Sequence, residues 1–202
     1  MKPLMLMALA SMMLAGCSPA PSPAPQSETA PTPAPAQPAA ATGNDMVALA
    51  LSAAPPDIAA NAAVVEMAEG GQTKELRAGT NGWVCMAHPE VMCLDKQWQE
   101  WADAWMNKRA PKVTALGVAY MLQGDKVGGS NTDPFATAPT ADNQWVISPP
   151  HVMVLTPDPR QLESLTTDPK NGGPWVMWKG TPYAHIMVPT APVGGTHSAA
   201  GH

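Results

Sequence analysis

The sequence predicts an α+β domain in which a mostly antiparallel sheet is packed by one long amphipathic helix and a short second helix. Three observations carry this reading. Over residues 95–109 apolar side chains recur at the three-and-four spacing of a helix face. Elsewhere, short apolar runs are bounded by Gly, Pro or Asn in the manner of strands. The later runs are apolar on both alternating faces, with Leu116, Val118, Tyr120 and Leu122 against Ala119 and Met121, so their sheet is expected to be covered on both sides.

In the helical segment Trp98, Trp101, Ala102, Trp105 and Met106 form the apolar face, and Gln99, Glu100, Asp103 and Asn107 fall opposite. Asp95 is placed to accept from first-turn amides, Lys108 and Arg109 suit the negative end, and Pro111 stops the helix. The second helix is expected over 158–165, with Asp158 as cap, Pro159 as first helical residue and Gln161 completing a capping box. Strands are expected at 63–67, 75–77, 83–86, 116–122, 151–156, 175–178 and 183–188, and Lys179-Gly180-Thr181 reads as the turn of a hairpin joining the last two. The polar stretch 124–150 has the length of an Ω-type or mobile connection.

The chain divides into a segment 1–16, a Pro/Ala-rich stretch 17–43, one globular domain over 44–190 and a small-residue tail 191–202. After Lys2 the first segment runs uncharged and apolar, but it is shorter than the roughly 20 residues that span a bilayer, so it reads as a signal peptide. It ends in Leu14-Ala15-Gly16-Cys17. That string resembles the lipobox of bacterial lipoproteins, which implies cleavage before Cys17 and acylation, palmitate included, of its thiol. Two or three acyl chains hold a protein stably on a membrane where one does not. Ser18, where the resembled class uses aspartate for inner-membrane retention, implies an outer-membrane anchor facing the periplasm. The proline-rich stretch then reads as a disordered, extended spacer.

Removing Lys2 from 11 basic against 16 acidic residues leaves the mature chain near minus six. No basic run occurs, which argues against nucleic acid and against a polybasic lipid contact. The expected partner is the bilayer itself, through the acyl chains on Cys17. In an oxidising compartment Cys85 and Cys93, the two cysteines left after lipidation, are expected to form a disulfide; with His88 they match no zinc spacing.

His151-Val152-Met153 and His185-Ile186-Met187 repeat a His-x-Met pattern, and on strands residues two apart share a face. Converging, His151, Met153, His185 and Met187, with Met121 or Tyr120 nearby, would make a soft set suited to Cu(I); dispersed, they are core residues. A hydrolase could draw on Ser130 or Ser148, a histidine and Asp125, Asp133 or Asp142, although no Gly-x-Ser-x-Gly, His-Glu-x-x-His or phosphate-loop pattern occurs. Of the seven tryptophans, Trp98, Trp101 and Trp105 share the helix face expected to be buried, which leaves Trp83, Trp145, Trp175 and Trp178 as a possible sugar platform. Thr80-Asn81-Gly82-Trp83, the run 173–178 and Thr181-Pro182-Tyr183-Ala184-His185 resemble strings in exported bacterial proteins of unassigned function. The resulting expectation is a non-enzymatic binding or structural module of the envelope that needs no cofactor, with copper binding and hydrolysis as alternatives.

Overall fold

The computed structural model describes residues 43–67 and 72–191. The signal peptide, Cys17, the stretch up to residue 42 and the tail from residue 192 lie outside the described residues. Within them the fold is α+β, with a mostly antiparallel eight-stranded sheet and three α-helices.

Helix α1, Gly43–Leu51, opens the domain, and α2, Pro56–Ala59, is one turn started by Pro56 at its first position. Strands β1 (Ala63–Met67), β2 (Thr73–Arg77), β3 (Val84–Met86) and β4 (Met92–Leu94) follow. After helix α3, Lys96–Met106, come β5 (Gly117–Met121), β6 (Gly129–Ser130), β7 (Trp145–Val146), β8 (His151–Leu155), β9 (Trp175–Met177) and β10 (His185–Pro189). The main sheet has the order β2-β1-β3-β4-β5-β8-β10-β9; β1 and β3 run parallel and the other neighbours antiparallel. β6 and β7 form a separate ribbon. Return of the chain from β2 to β3 depends on Gly79, where a Cβ would lie 2.1 Å from the backbone nitrogen of Ala63.

Two expectations about helices need correction. α3 has eleven residues and not the fifteen expected over 95–109. Asp95 caps it as expected, its Oδ1 accepting from the Trp98 amide at 2.9 Å, while Oδ2 accepts from the Val118 amide at 2.6 Å and ties the helix start to β5. The helix ends early because Lys108 turns into the left-handed region at φ 52°. Arg109 folds back onto Glu100 and Asp103, holding the Glu100 carboxyl down at about 2. The segment expected as a second α-helix is a 3-10 turn, Pro159–Leu162. Asp158 accepts from the Arg160 amide, but Gln161 takes a hydrogen bond from the Thr156 hydroxyl instead of closing a capping box.

The two faces of the sheet carry different cores. On one face α3 covers β4, β5, β8, β10 and β9, burying Leu94, Trp98, Trp101, Ala119, Met121, Met153, Leu155, Trp175, Met177, Tyr183 and Met187. On the other, α1 covers β1, β3 and β4, burying Ala50, Ala53, Ala54, Ala62, Val64, Cys85 and Cys93. Tyr120 and Trp83 extend this second core, their rings 5.5 Å apart. Beyond α1, Val118, Val152, Val154, Ile186 and Val188 stay half-buried.

Candidate functional site

Backbone register decides which candidate side chains meet. Cys85 stands opposite Cys93 on β3 and β4, and the two form a buried disulfide. Met187 stands opposite Met153, so the thioethers of the two His-x-Met pairs are cross-strand neighbours. The strands are antiparallel, however, and the same register sends the histidines to opposite ends of the pair. His151 faces Pro189, four residues from His185, a separation of roughly 14 Å along the strand. Each imidazole is held by a backbone carbonyl two residues before it. His151 Nδ1 bonds the Pro149 carbonyl at 2.7 Å, and His185 Nδ1 bonds the Tyr183 carbonyl at 2.9 Å. The four residues therefore share a face without sharing a centre. His88 is apart from both, exposed at the tip of the loop between β3 and β4.

His185 is enclosed by indoles. Trp98, Trp101 and Trp178 set their rings nearly perpendicular to it at centroid distances of 5.2, 5.5 and 5.1 Å. Burial pushes its pKa down to about 4, against a smaller opposing pull from the Tyr183 carbonyl. It is a neutral core histidine at neutral pH.

His151 instead joins a polar cluster at the other end of the sheet. Its Nε2 is buried, with 0% exposure for the residue, and has no hydrogen-bond partner among the described residues. Asp125 Oδ1 lies 4.0 Å away, and Asp125 Oδ2 accepts from the Ser148 amide at 2.7 Å. Burial raises the Asp125 carboxyl, although the nearby imidazole and the hydrogen bond from the Ser148 amide pull it back. Thus Asp125, Ser148 and His151, all weighed for a hydrolase, do come together. Their arrangement is not that of an activated nucleophile: Ser148 is 3% exposed, and its hydroxyl reaches no partner among the described residues, His151 included.

Ser130 has a different task. Its hydroxyl donates to the Asn143 carbonyl and accepts from the amides of Thr132 and Asp133, while buried Asn131 binds the Thr167 carbonyl and the Trp175 indole. These bonds tie 124–150 to the domain, so its length serves ordered structure. Asp133 caps the amide of Phe135, and Asp142 is exposed.

Among the proposed platform rings Trp175 is fully buried, Trp83 packs on Tyr120, and Trp145 is half-buried with its indole donating to the Val127 carbonyl. Trp178 belongs to a stack that the sequence did not disclose. Trp101, Trp178, Trp105 and Phe135 lie in nearly parallel planes, stepping from the core to the surface. At the outer end is an open cleft of about 580 Å³ lined by Trp105, Met106, Pro134 and Phe135, with Asp103, Asn107, Lys108 and Thr137 as its polar groups. The Trp105 indole donates to the Pro134 carbonyl at 2.8 Å, which fixes the helix to the loop that forms the other wall. The chain's single phenylalanine, set after a proline in a polar loop, was the available signal for this cleft.

Comparison with family models, curated proteins and solved structures finds no match to this chain.

Proposed function

We propose that this chain is a lipid-anchored bacterial envelope protein whose domain is a non-enzymatic binding module, with the cleft over Trp105 and Phe135 as its ligand site and a glycan as its ligand class. The observation that carries the reading is the cleft. Its volume of about 580 Å³ falls in the range of small-ligand sites, and flat aromatic walls beside a carboxylate, an amide, an ammonium and a hydroxyl match the apolar faces and hydroxyl rims of sugar rings. Phe135 is 40% exposed at the rim of the cleft, with the Lys108 ammonium 5.4 Å from its ring centroid. Supporting the anchor are the Leu14-Ala15-Gly16-Cys17 string and the proline-rich spacer after it. No helix among the described residues is long and apolar enough to cross a membrane.

Titration calorimetry of the full chain in detergent with N-acetylglucosamine-containing wall fragments tests the ligand. Phe135→Ala is expected to weaken binding by about tenfold, equivalent to roughly 1.4 kcal/mol, with little change in melting temperature. Failure of the unaltered chain to bind, or equal affinity in Phe135→Ala and Trp105→Ala variants, rejects the cleft. The anchor is tested separately by metabolic labelling with a fatty acid. Cys17→Ser is expected to carry no label, and label retained by that variant rejects lipidation at Cys17.

A further inference from the structure

On the face covered by α3, the register of four strands sets one row of soft donors that the His-x-Met pattern does not contain. Met86 stands opposite Met92, and Met121 stands opposite His151. Between them β4 and β5 are bridged through Cys93 with Tyr120 and Leu94 with Ala119, and Met92 and Met121 are the next residues of the two strands beyond that bridge. The row across β3, β4, β5 and β8 is thus Met86, Met92, Met121, His151. We propose that it binds one monovalent copper ion, with His151 Nε2 and the thioethers of Met121 and Met92 as ligands and Met86 at the entrance.

The imidazole is prepared for this. Because Nδ1 sits 2.7 Å from the Pro149 carbonyl, that nitrogen carries the proton and donates, which leaves Nε2 as a bare lone pair. A backbone carbonyl holding the other nitrogen is the usual support of a metal-binding histidine. The lone pair is buried without a partner among the described residues, an arrangement that costs free energy unless something accepts it. Carboxylates border the site. Asp125 Oδ1 is 4.0 Å from Nε2. Glu90 lies on the neighbouring loop, where it accepts from the amides of Lys126 and Val127. The Lys126 ammonium is turned to the Ala87 carbonyl. Thioethers beside one imidazole select a soft monovalent ion over zinc. No group of three or more His, Cys, Asp or Glu residues among those described could hold a metal without them. Met121 is 3% exposed, whereas Met86 and Met92 are half-buried, so the row opens toward solvent at its methionine end.

Anaerobic titration of the full chain in detergent with Cu(I), against a chromogenic Cu(I) chelator, tests the site. One equivalent is expected to bind. Met121→Leu and Met92→Leu, which conserve volume, should each weaken binding by about tenfold or more. Met153→Leu, Met187→Leu and a variant with His197→Ala and His202→Ala should bind as the unaltered chain does. X-ray absorption of the loaded protein should show sulfur and nitrogen scatterers together. Circular dichroism of each variant confirms that it folds. The proposal is overturned if the unaltered chain retains no copper, if Met121→Leu binds unchanged, or if the loss follows Met153, Met187 or the tail histidines instead. None of these outcomes depends on glycan binding at the cleft.

Discussion

The two faces of the sheet solve the same packing problem with different materials. Under α3 the core is built from tryptophan, methionine, leucine and tyrosine, large side chains that bury much apolar area each. Under α1 it is built from alanines, valines and a disulfide, and among the described residues no Asp, Glu, His, Lys or Arg is buried there. Small side chains bring α1 close to the strands but remove little apolar surface from water, so that side gains a covalent link where the other gains area. The contrast teaches where each face should fail: the α3 face to loss of volume or to acid, the α1 face to loss of the cross-link.

The largest expected effect is on volume. Trp101→Ala removes a ring packed against Trp98, Trp178, Tyr183 and His185, and should destabilise the domain by about 3 to 5 kcal/mol in denaturant melts. A loss below about 1 kcal/mol would erase the distinction between the faces.

Acid is the next probe. Burial brings the His185 imidazole down to about 4 in the folded domain, from the ordinary histidine value of about 6.5. The unfolded chain therefore binds the proton first, and stability should fall as pH drops from about 6.5 toward 4, by about 3 kcal/mol in all. Asp125 acts in the opposite sense: its raised carboxyl makes the folded state hold a proton above the ordinary aspartate range, so its share of stability declines as pH rises there. Urea melts at stepped pH, with His185→Gln as reference, separate the two. An unchanged acid slope in that variant would remove His185 as its source.

The smallest of the three effects belongs to the α1 face. Replacing both Cys85 and Cys93 by alanine opens a link between residues eight apart and should cost about 2 to 3 kcal/mol in the chain-entropy model. Hydrogen exchange should then show α1, β1 and β3 losing protection ahead of β8 and β10. Equal loss on both faces would show that the two cores unfold as one unit.

Alternation made most strands legible, because a period of two over five residues, as in β5 and β8, is difficult to mistake. β4 was missed: Met92–Leu94 is three residues long and lies just before the α3 cap, too short to show a period. α1 was missed for another reason. Its Ala- and Leu-rich run continues the composition of the spacer before it, and what holds it, Ala50 against the strand residues Val64, Cys85 and Cys93, is a contact between distant positions. The metal-site expectation shows the same limit. Shared faces follow from spacing of two, but whether histidines meet follows from register, which here aligns Met153 with Met187 and His151 with Met121. The cleft needed the loop around Phe135 to be laid against α3, and no local pattern encodes that.

Trp101, Trp178 and Trp105 lie within 8° of parallel at centroid separations of 5.6 to 6.5 Å. Chromophores held so close and so nearly aligned exchange excitation, and their shared optical transitions depend on mutual tilt and offset. The domain therefore carries an intrinsic gauge. Loosening of the inner ring would alter the near-ultraviolet circular dichroism, while contact at the outer ring would alter emission, so that one unlabelled sample reports separately on the interior of the molecule and on its mouth.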